Sequence, residues 1–417
     1  MMKTIIKLLS VLTMAMPLVS SATTSDAVLD WNAIAVNTAA ANKANPFAQG
    51  RFAAIVQVAV FEAVNSITGE YRPYLGTITG APGASANAAA VEAAYEVLSA
   101  YFGASQSALD ADRLASLGQP PYDQSTMDGV AVGHAAAQAL IALRAADGAT
   151  AVPSTTMPGA AAPGVWQLTA GCKAGIAYNW QFVAPFGIRR ASDFMLGPPP
   201  ALTSEAYTKA YNEVMNVGAS DSVERTQDRA NVVLFFAATS PTQAMNQAAR
   251  QVAEEKGGTL SENARALALV NMAINDALVA SFLNKYHYNF WRPVTAIQGG
   301  DTDGNADTAA DPNWAPFITT PCFPSYPSNH GSAVNAASEV LMRLYGEAAH
   351  PITLANPAVP TIRLEYDLFR EICEDVSDAR VYGGIHFRTD QEAGADLGRA
   401  IGAAVYKLNF QRVEEEQ

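Results

Sequence analysis

"RFAAIVQVAVFEAVNSI", residues 51–67, sets the fold class. Ile55, Val58, Ala59 and the Phe61–Glu62 step recur at three- and four-residue intervals, the period of one helix face and not of a strand. "ANAAAVEAAYEVLSAYF" (86–102) and "MDGVAVGHAAAQALIALRAA" (127–146) repeat the pattern with many alanines, the best helix formers. Further helices are expected at 204–217, 224–239, 243–256, 260–284, 329–346, 361–380 and 386–408. No stretch alternates convincingly between hairpin turns, so no strands are expected. The expected fold is all-α, helical bundles in two four-helix-bundle-like halves with the site in the C-terminal bundle.

Residues 153–203 break the helical pattern with repeated prolines and glycines and end in "GPPP". So long an irregular segment in a compact chain is functional or a linker. Trp166, Trp180, Phe182 and Phe186 within it are expected to line a cleft. The expected organisation is a signal peptide over 1–22, an N-terminal helical region over 23–152, the irregular segment over 153–203 and a C-terminal helical region over 204–417.

Composition bounds the function. The 417 residues are 49% hydrophobic and 16% charged, enough apolar material for a sizeable core. A net charge of -13 disfavours nucleic acid and anionic lipid as partners. Any anionic ligand must be held by a local basic cluster working against the field of the whole chain. Lys3 and Lys7 precede "LLSVLTMAMPLV", an apolar run too short to span a bilayer, and Ser20 and Ala22 are small. This reads as a signal peptide cleaved near Ala22 and predicts an exported protein, periplasmic or secreted, with no integral membrane association. Three cysteines, Cys172, Cys322 and Cys373, allow one bridge and one thiol left over, or none, and their pairing is open.

Three C-terminal stretches carry chemistry. In "KYHYNFWRP", Lys285 and Arg292 are seven positions apart, which on a helix puts them on one face roughly 10 Å apart, and Pro293 ends or kinks the element. In "FPSYPSNHGS" (323–332), Pro327 sets up a helix start, so Ser328, Asn329 and His330 fall at an N-terminus whose free N–H groups favour an anion. Ser328 adds a hydroxyl donor and His330 a proton donor or acceptor, although Ser328 also reads as a plain N-cap. In "ARVYGGIHFRTD", Gly383 and Gly384 break a helix ending near Arg380, and His386 opens the next with Asp390 four residues on. Asp390 can hold one ring nitrogen protonated and leave the other free as nucleophile or ligand. Arg380 suits bidentate recognition of a tetrahedral oxyanion. Together these residues specify an oxyanion pocket with a proton donor on one side and a nitrogen nucleophile on the other.

Lys-(six residues)-Arg-Pro, then Pro-Ser-x-His, then Arg-(five residues)-His-(three residues)-Asp resembles the superfamily that joins vanadium-dependent haloperoxidases and type-2 phosphatidic acid phosphatases. The likeness is strongest over about 270–410, and "RFAAIVQVAVFEAVNSITGEYRPY" (51–74) looks like the N-terminal region of bacterial haloperoxidase-type members. "FWRP" and "FPSYPSNH" favour the haloperoxidase branch. The resemblance implies vanadate as cofactor, with His386 binding vanadium and Lys285, Arg292, Ser328, Arg380 and the N–H of Asn329 holding its oxygens. His330 is implied as acid–base and Asp390 as the residue that orients His386. Hydrogen peroxide and halide are the implied substrates, with hypohalous acid as product. Phe323 falls where chloride-oxidising members carry an aromatic, and Phe282 where some carry Trp. Asn329 stands where many members have Gly, so its side chain is expected to crowd or hydrogen-bond the oxyanion.

The same pocket suits a secreted acid phosphatase acting on small phosphate esters through a phosphohistidine at His386, with His330 protonating the leaving group. A non-enzymatic oxyanion binder is the third reading, against which an intact pair of histidines speaks. "DTDGNADTAAD" (301–311) has the alternating Asp and Asn of a calcium loop but Pro312 at the twelfth position, so a solvated acidic loop is preferred over a bound cation. His134, His287 and His350 have no partner motif.

Overall fold

The computed structural model describes residues 26–413, so the expected signal peptide and the last four residues of the "VEEEQ" tail lie outside the described residues. The N-terminal part contributes α1 (Ala27–Ala41), α2 (Pro46–Thr68), α3 (Ala86–Tyr101), α4 (Gln106–Leu117) and α5 (Gln124–Arg144). After the irregular segment come α6 (Glu205–Val217), α7 (Gln227–Ala238), α8 (Pro241–Lys256), α9 (Leu260–Tyr288), α10 (Pro293–Gln298), α11 (Asn329–Tyr345), α12 (Phe369–Val381) and α13 (Arg388–Leu408). Hydroxyl caps explain many of the starts: Ser85, Ser204, Thr226, Thr259 and Ser328 each accept a bond from a first-turn N–H.

The all-α expectation holds, with two small additions. β1 (Thr155–Thr156) pairs antiparallel with β2 (Gly175–Ile176), and β3 (Ile352–Ala355) with β4 (Arg363–Tyr366). The helix expected over 361–380 therefore begins only at Phe369, because 363–366 is spent on the hairpin. Three helices, α1, α4 and α10, were not expected. In α1 the apolar run is interrupted by Asn32, whose buried amide is satisfied by Asn246 at 2.7 Å and Arg250 at 2.6 Å.

α9 is the central helix, packed against α2 from the N-terminal part and against α11 and α13. One apolar cluster runs from Val28 to Phe410 and includes residues from both parts of the chain. α2 and α9 are long and apolar enough to cross a membrane by length and composition, yet 83% and 94% of their apolar windows are buried inside the protein. They are core helices here.

The approach of α13 to α11 positions the site. Gly394, Gly398 and Gly402 recur every four residues, and a Cβ on each would meet the oxygen of Ser328, Ser332 or Ala336 at 2.8, 2.3 and 2.5 Å. Only glycine allows the two backbones so close. The contact ends at the N-termini of both helices, where Ser328 N donates to the Asp390 carbonyl at 2.9 Å.

The irregular segment is fastened at several points. The buried Asp276 of α9 accepts the N–H groups of Phe186, Gly187 and Ile188 at 2.7, 2.6 and 3.0 Å. Cys172 is bonded to Cys322, which settles the pairing and leaves Cys373 buried and free. Trp166, Trp180 and Phe186 are buried and seal the segment onto the bundle where a cleft lining was expected, while Phe182 is exposed. Trp180 packs edge-on against Phe47 with centroids 4.7 Å apart.

Candidate active site

Lys285 lies in the last turn of α9, and its Nζ donates to the carbonyls of Pro324 and Ser325 at 2.9 and 2.6 Å. Arg292 is not on that helix. The chain leaves α9 at Asn289, which takes a left-handed φ of 48°, and Arg292 precedes α10 with Pro293 as its first residue. Pro293 thus starts a helix, where its missing N–H costs nothing. The two cations come together through this turn and not along one helical face.

Arg292 donates from Nε to the Phe323 carbonyl at 2.9 Å and from Nη1 to the Ile385 carbonyl at 2.8 Å, with Nη1 also 3.0 Å from His386 Nε2. Its Nη2, and the Nε and Nη2 of Arg380, are buried with no hydrogen-bond partner among the described residues. Lys285, Arg292 and Arg380 are all buried. Asp390 is the one carboxylate in their company among the described residues, so positive charge stays uncompensated, and burial, then Arg292, push the Lys285 pKa well below its ordinary value. Burying unpaired donors on cations is costly, and an oxyanion is the group that would relieve the cost.

His386 precedes α13, whose cap is Phe387, and Asp390 is at its third position, so the pair is not on a shared helical face as expected. The contact forms nonetheless: Nδ1–H of His386 donates to Asp390 Oδ2 at 2.8 Å. The bond puts the proton on Nδ1 and the lone pair on Nε2. Burial, then Arg292, Lys285, Arg380 and His330, hold the His386 pKa well below 6.5, so the ring is neutral. Binding an oxyanion at Nε2 requires Arg292 Nη1 to turn from nitrogen to an anion oxygen.

Ser328 caps α11, its Oγ accepting from Gly331 N at 3.1 Å, which leaves the hydroxyl proton free to donate. Asn329 borders the space around His330 and His386, and its side-chain oxygen is engaged by α9. Ser281 of α9 donates to Asn329 Oδ1 at 2.7 Å. His330 follows, half-buried, and no hydrogen bond among the described residues reaches its ring. Burial, then Arg380, Lys285 and Arg292, push its pKa well below 6.5. Burial also pulls Arg292 down to about 9 and Arg380 to about 10, which leaves both protonated at neutral pH.

Phe323 stands over the cations, its ring centroid 5.3 Å from Lys285 Nζ and 5.1 Å from Arg292 Cζ. Phe282 is fully buried and packs edge-on against Phe323 at 5.3 Å, so it supports that ring from the core. Of the other histidines, His134 pairs with Glu96 at 3.2 Å, His287 is exposed against Tyr288, and His350 is buried against Phe369. None joins the site. The 301–311 loop spends Asp303 on Asn305 N and the Thr308 hydroxyl, and no group of three or more metal-capable side chains gathers among the described residues. The less favoured alternative of a calcium loop at 301–311 therefore finds no ligand cluster among the described residues.

Sequence reasoning missed Ser325. Its Oγ donates to Asp390 Oδ2 at 2.5 Å and lies 3.3 Å from His386 Nδ1, its carbonyl takes Lys285, and its N–H donates to the Phe290 carbonyl. One residue thus ties all three motifs together. Burial drives the Asp390 pKa up to about 6, and the Ser325 bond works against that shift. The only hint in the sequence was that Ser325 lies inside "FPSYPSNH", since its partner is 65 residues away. Ser325→Ala is expected to weaken oxyanion binding by about 10–100-fold, the usual effect of losing a group that orients a ligand. Equilibrium dialysis against vanadate checks this, and unchanged affinity contradicts it.

Two spaces open on the histidines. A cavity of about 250 Å³, mostly apolar in its walls, has His330, His386 and Arg380 among its lining. A wider cleft of about 600 Å³, lined by Gln49, Thr239, Ser240 and Gln243 among others, also reaches His330 and Arg380.

Residues 265–415 match the family model described as the VCPO second helical-bundle domain. The chain is 26% identical over 275 residues to the vanadium chloroperoxidase of Curvularia inaequalis, across 49% of this chain. It spans less than half of that relative, 44% of its length. A crystal structure of a bacterial vanadium-dependent iodoperoxidase superposes with a TM-score of 0.79 at 24% identity, covering 94% of this chain and 97% of the other. A bacterial vanadium-dependent chloroperoxidase in its holo form superposes with a TM-score of 0.72 at 17% identity, covering 87% and 92%. At these identities the superpositions establish a shared helical fold.

Proposed function

We propose that this chain, which has the vanadium haloperoxidase fold and carries that family's second helical bundle over 265–415, oxidises halide with hydrogen peroxide, using vanadate, to hypohalous acid. The observation that carries the reading is the set of orphaned guanidinium donors on Arg292 and Arg380 around a neutral imidazole. These residues fit a tetrahedral oxyanion: the donors lack acceptors, the cations lack counter-charge, and Nε2 of His386 offers a lone pair.

His386 would hold the vanadium, oriented by Asp390 and, behind it, Ser325. Lys285, Arg292, Arg380, the Ser328 hydroxyl and the Asn329 N–H would hold the oxygens. Bound vanadate supplies Lewis acidity that makes peroxide electrophilic toward halide. The neutral His330 ring accepts the proton of incoming peroxide and returns it to the departing water or hypohalous acid. Phe323, backed by Phe282, lies over Lys285 and Arg292 and lines the apolar cavity, where halide would arrive. We also read the chain as exported, a reading that the Cys172–Cys322 bond suits because such bonds persist in oxidising compartments.

The sign of the His330 shift gives a test. In the anion-free protein burial first, and then the nearby cations, oppose a positive charge on the ring, so His330 titrates below 6.5. Adding phosphate offsets those cations and raises the pKa. Ring-proton NMR follows both, and a value at or above 6.5 before phosphate is added contradicts the proposed environment of His330.

The activity is tested by assaying purified protein, with and without vanadate, for peroxide-dependent bromination and for aryl-phosphate hydrolysis. Bromination that depends on vanadate is the expected result. Hydrolysis that vanadate inhibits, with no bromination, replaces the proposal with the phosphatase reading.

A further inference from the structure

Four consecutive carbonyls, from Cys322 to Ser325, are all engaged beside the oxyanion pocket. The Cys322 carbonyl accepts Ile176 N at 2.9 Å and the Phe323 carbonyl accepts Arg292 Nε at 2.9 Å. Those of Pro324 and Ser325 accept Lys285 Nζ at 2.9 and 2.6 Å. The placing of this short stretch therefore fixes how two of the three buried cations are held. Its own anchors outside the pocket are few. Ser325 N donates to the Phe290 carbonyl at 2.9 Å, and the Ile176 bond comes from β2, two residues paired with two of β1. A ribbon that small does not hold itself in water.

The firm anchor is the Cys172–Cys322 bond, which joins residues 150 apart and ties the stretch to the irregular segment. Both cysteines are half-buried, within reach of small thiols and of peroxide. Cys373 is buried, and burial pushes its thiol up to about 12, which keeps it protonated and unreactive. From this arrangement we infer that Cys172 and Cys322 form a redox latch on the oxyanion pocket. Closed as the disulfide, the latch holds residues 321–325 where their carbonyls aim Arg292 and Lys285. Opened by reduction, it lets the stretch draw away and lowers the affinity for oxyanion.

Both directions balance. In opening, a dithiol reductant attacks one sulfur, the S–S bond breaks, two S–H bonds form on the chain and the dithiol leaves as its own disulfide. In closing, hydrogen peroxide oxidises one thiol to a sulfenic acid as its O–O bond breaks and water leaves. The second thiol then displaces water from that sulfur and the S–S bond forms. Two thiols and one peroxide become one disulfide and two waters. Peroxide, the oxidant of the proposed function, thus arms the pocket that is to use it. A reducing compartment keeps the latch open and an oxidising one closes it, so closure coincides with the proposed export.

The inference rests on the proposed function for its oxyanion pocket, and inorganic phosphate is the probe because thiols do not reduce it. Phosphate affinity is measured by equilibrium dialysis for the full chain as the disulfide, after reduction with dithiothreitol and its removal, and after hydrogen peroxide treatment of the reduced chain. Thiol titration follows the bond and circular dichroism the fold. Reduction is expected to weaken phosphate at least about tenfold with the helix signal unchanged, the effect of loosening groups that orient a site. Peroxide is expected to restore affinity as the thiols disappear. A chain with both Cys172→Ser and Cys322→Ser should bind like the reduced form under every treatment, and Cys373→Ser should keep the full redox response. Equal affinity of the disulfide and reduced forms overturns the latch, as does loss of the helix signal on reduction. So does a bond that dithiothreitol leaves intact, peroxide that restores neither bond nor affinity, full affinity in the double variant, or a response lost in Cys373→Ser. If the disulfide form binds no phosphate, the oxyanion pocket of the proposed function fails and the latch with it; equal binding by both forms sinks the latch alone.

Discussion

His386→Ala is expected to lower vanadate affinity by more than about 100-fold and to remove halide oxidation with it. Groups that merely orient a metal-site ligand are worth about 10–100-fold, and His386 is the proposed ligand itself. The substitution removes the only imidazole lone pair that Asp390 and Ser325 hold in place. The fold should survive. Asp390 keeps its bonds from Ser325 Oγ and Phe387 N, and Arg292 Nη1 keeps the Ile385 carbonyl. A stability loss of about 1–3 kcal/mol is expected for the donor removed from a buried carboxylate. Vanadate titration and thermal melting of the variant give both numbers. Undiminished vanadate binding contradicts the role given to His386.

The second large effect has two opposite signs. Arg380→Met is expected to stabilise the anion-free chain while weakening vanadate binding by about 100-fold. Arg380 is buried with Nε and Nη2 unpartnered, and burial alone lowers its pKa. Replacing a buried, poorly paired charge by an apolar side chain of similar length is often worth about 1–4 kcal/mol in favour of the fold. The same replacement removes two charge-assisted bonds to an anion, each about 1.5–3 kcal/mol. Stability without ligand would thus rise as function falls, the pattern of a site that stores unfavourable charge for its guest. A variant less stable than the parent in the absence of any anion would show that Arg380 has structural partners that this account denies it.

What the sequence made legible was local. The helix period named most elements, and the N-cap chemistry of Ser328 placed the start of α11 within "PSNH". The chemistry-bearing residues were likewise readable, because their types and spacings fall in three short stretches. What could not be read depends on distant partners or on single backbone angles. The left-handed turn at Asn289 takes Arg292 off the helix that carries Lys285, and seven-residue spacing contains no trace of it. The bond from Ser325 to Asp390 crosses 65 residues, and the Asn329 side chain is engaged by Ser281, 48 residues earlier. The cavity walls come from α2, β2 and α9 as well as from the motifs. Proximity among such pieces follows from packing, above all from the glycines of α13 that bring Asp390 to Ser328.

The central claim is that three separated segments surround one tetrahedral anion tied to an imidazole. A crystal structure of the chain soaked in orthovanadate tests it directly. One vanadium bonded to His386 Nε2, with oxygens within hydrogen-bonding reach of Lys285, Arg292, Ser328 and Arg380, is the predicted result. Vanadium bound elsewhere, or held in that pocket without a bond to His386, would contradict it.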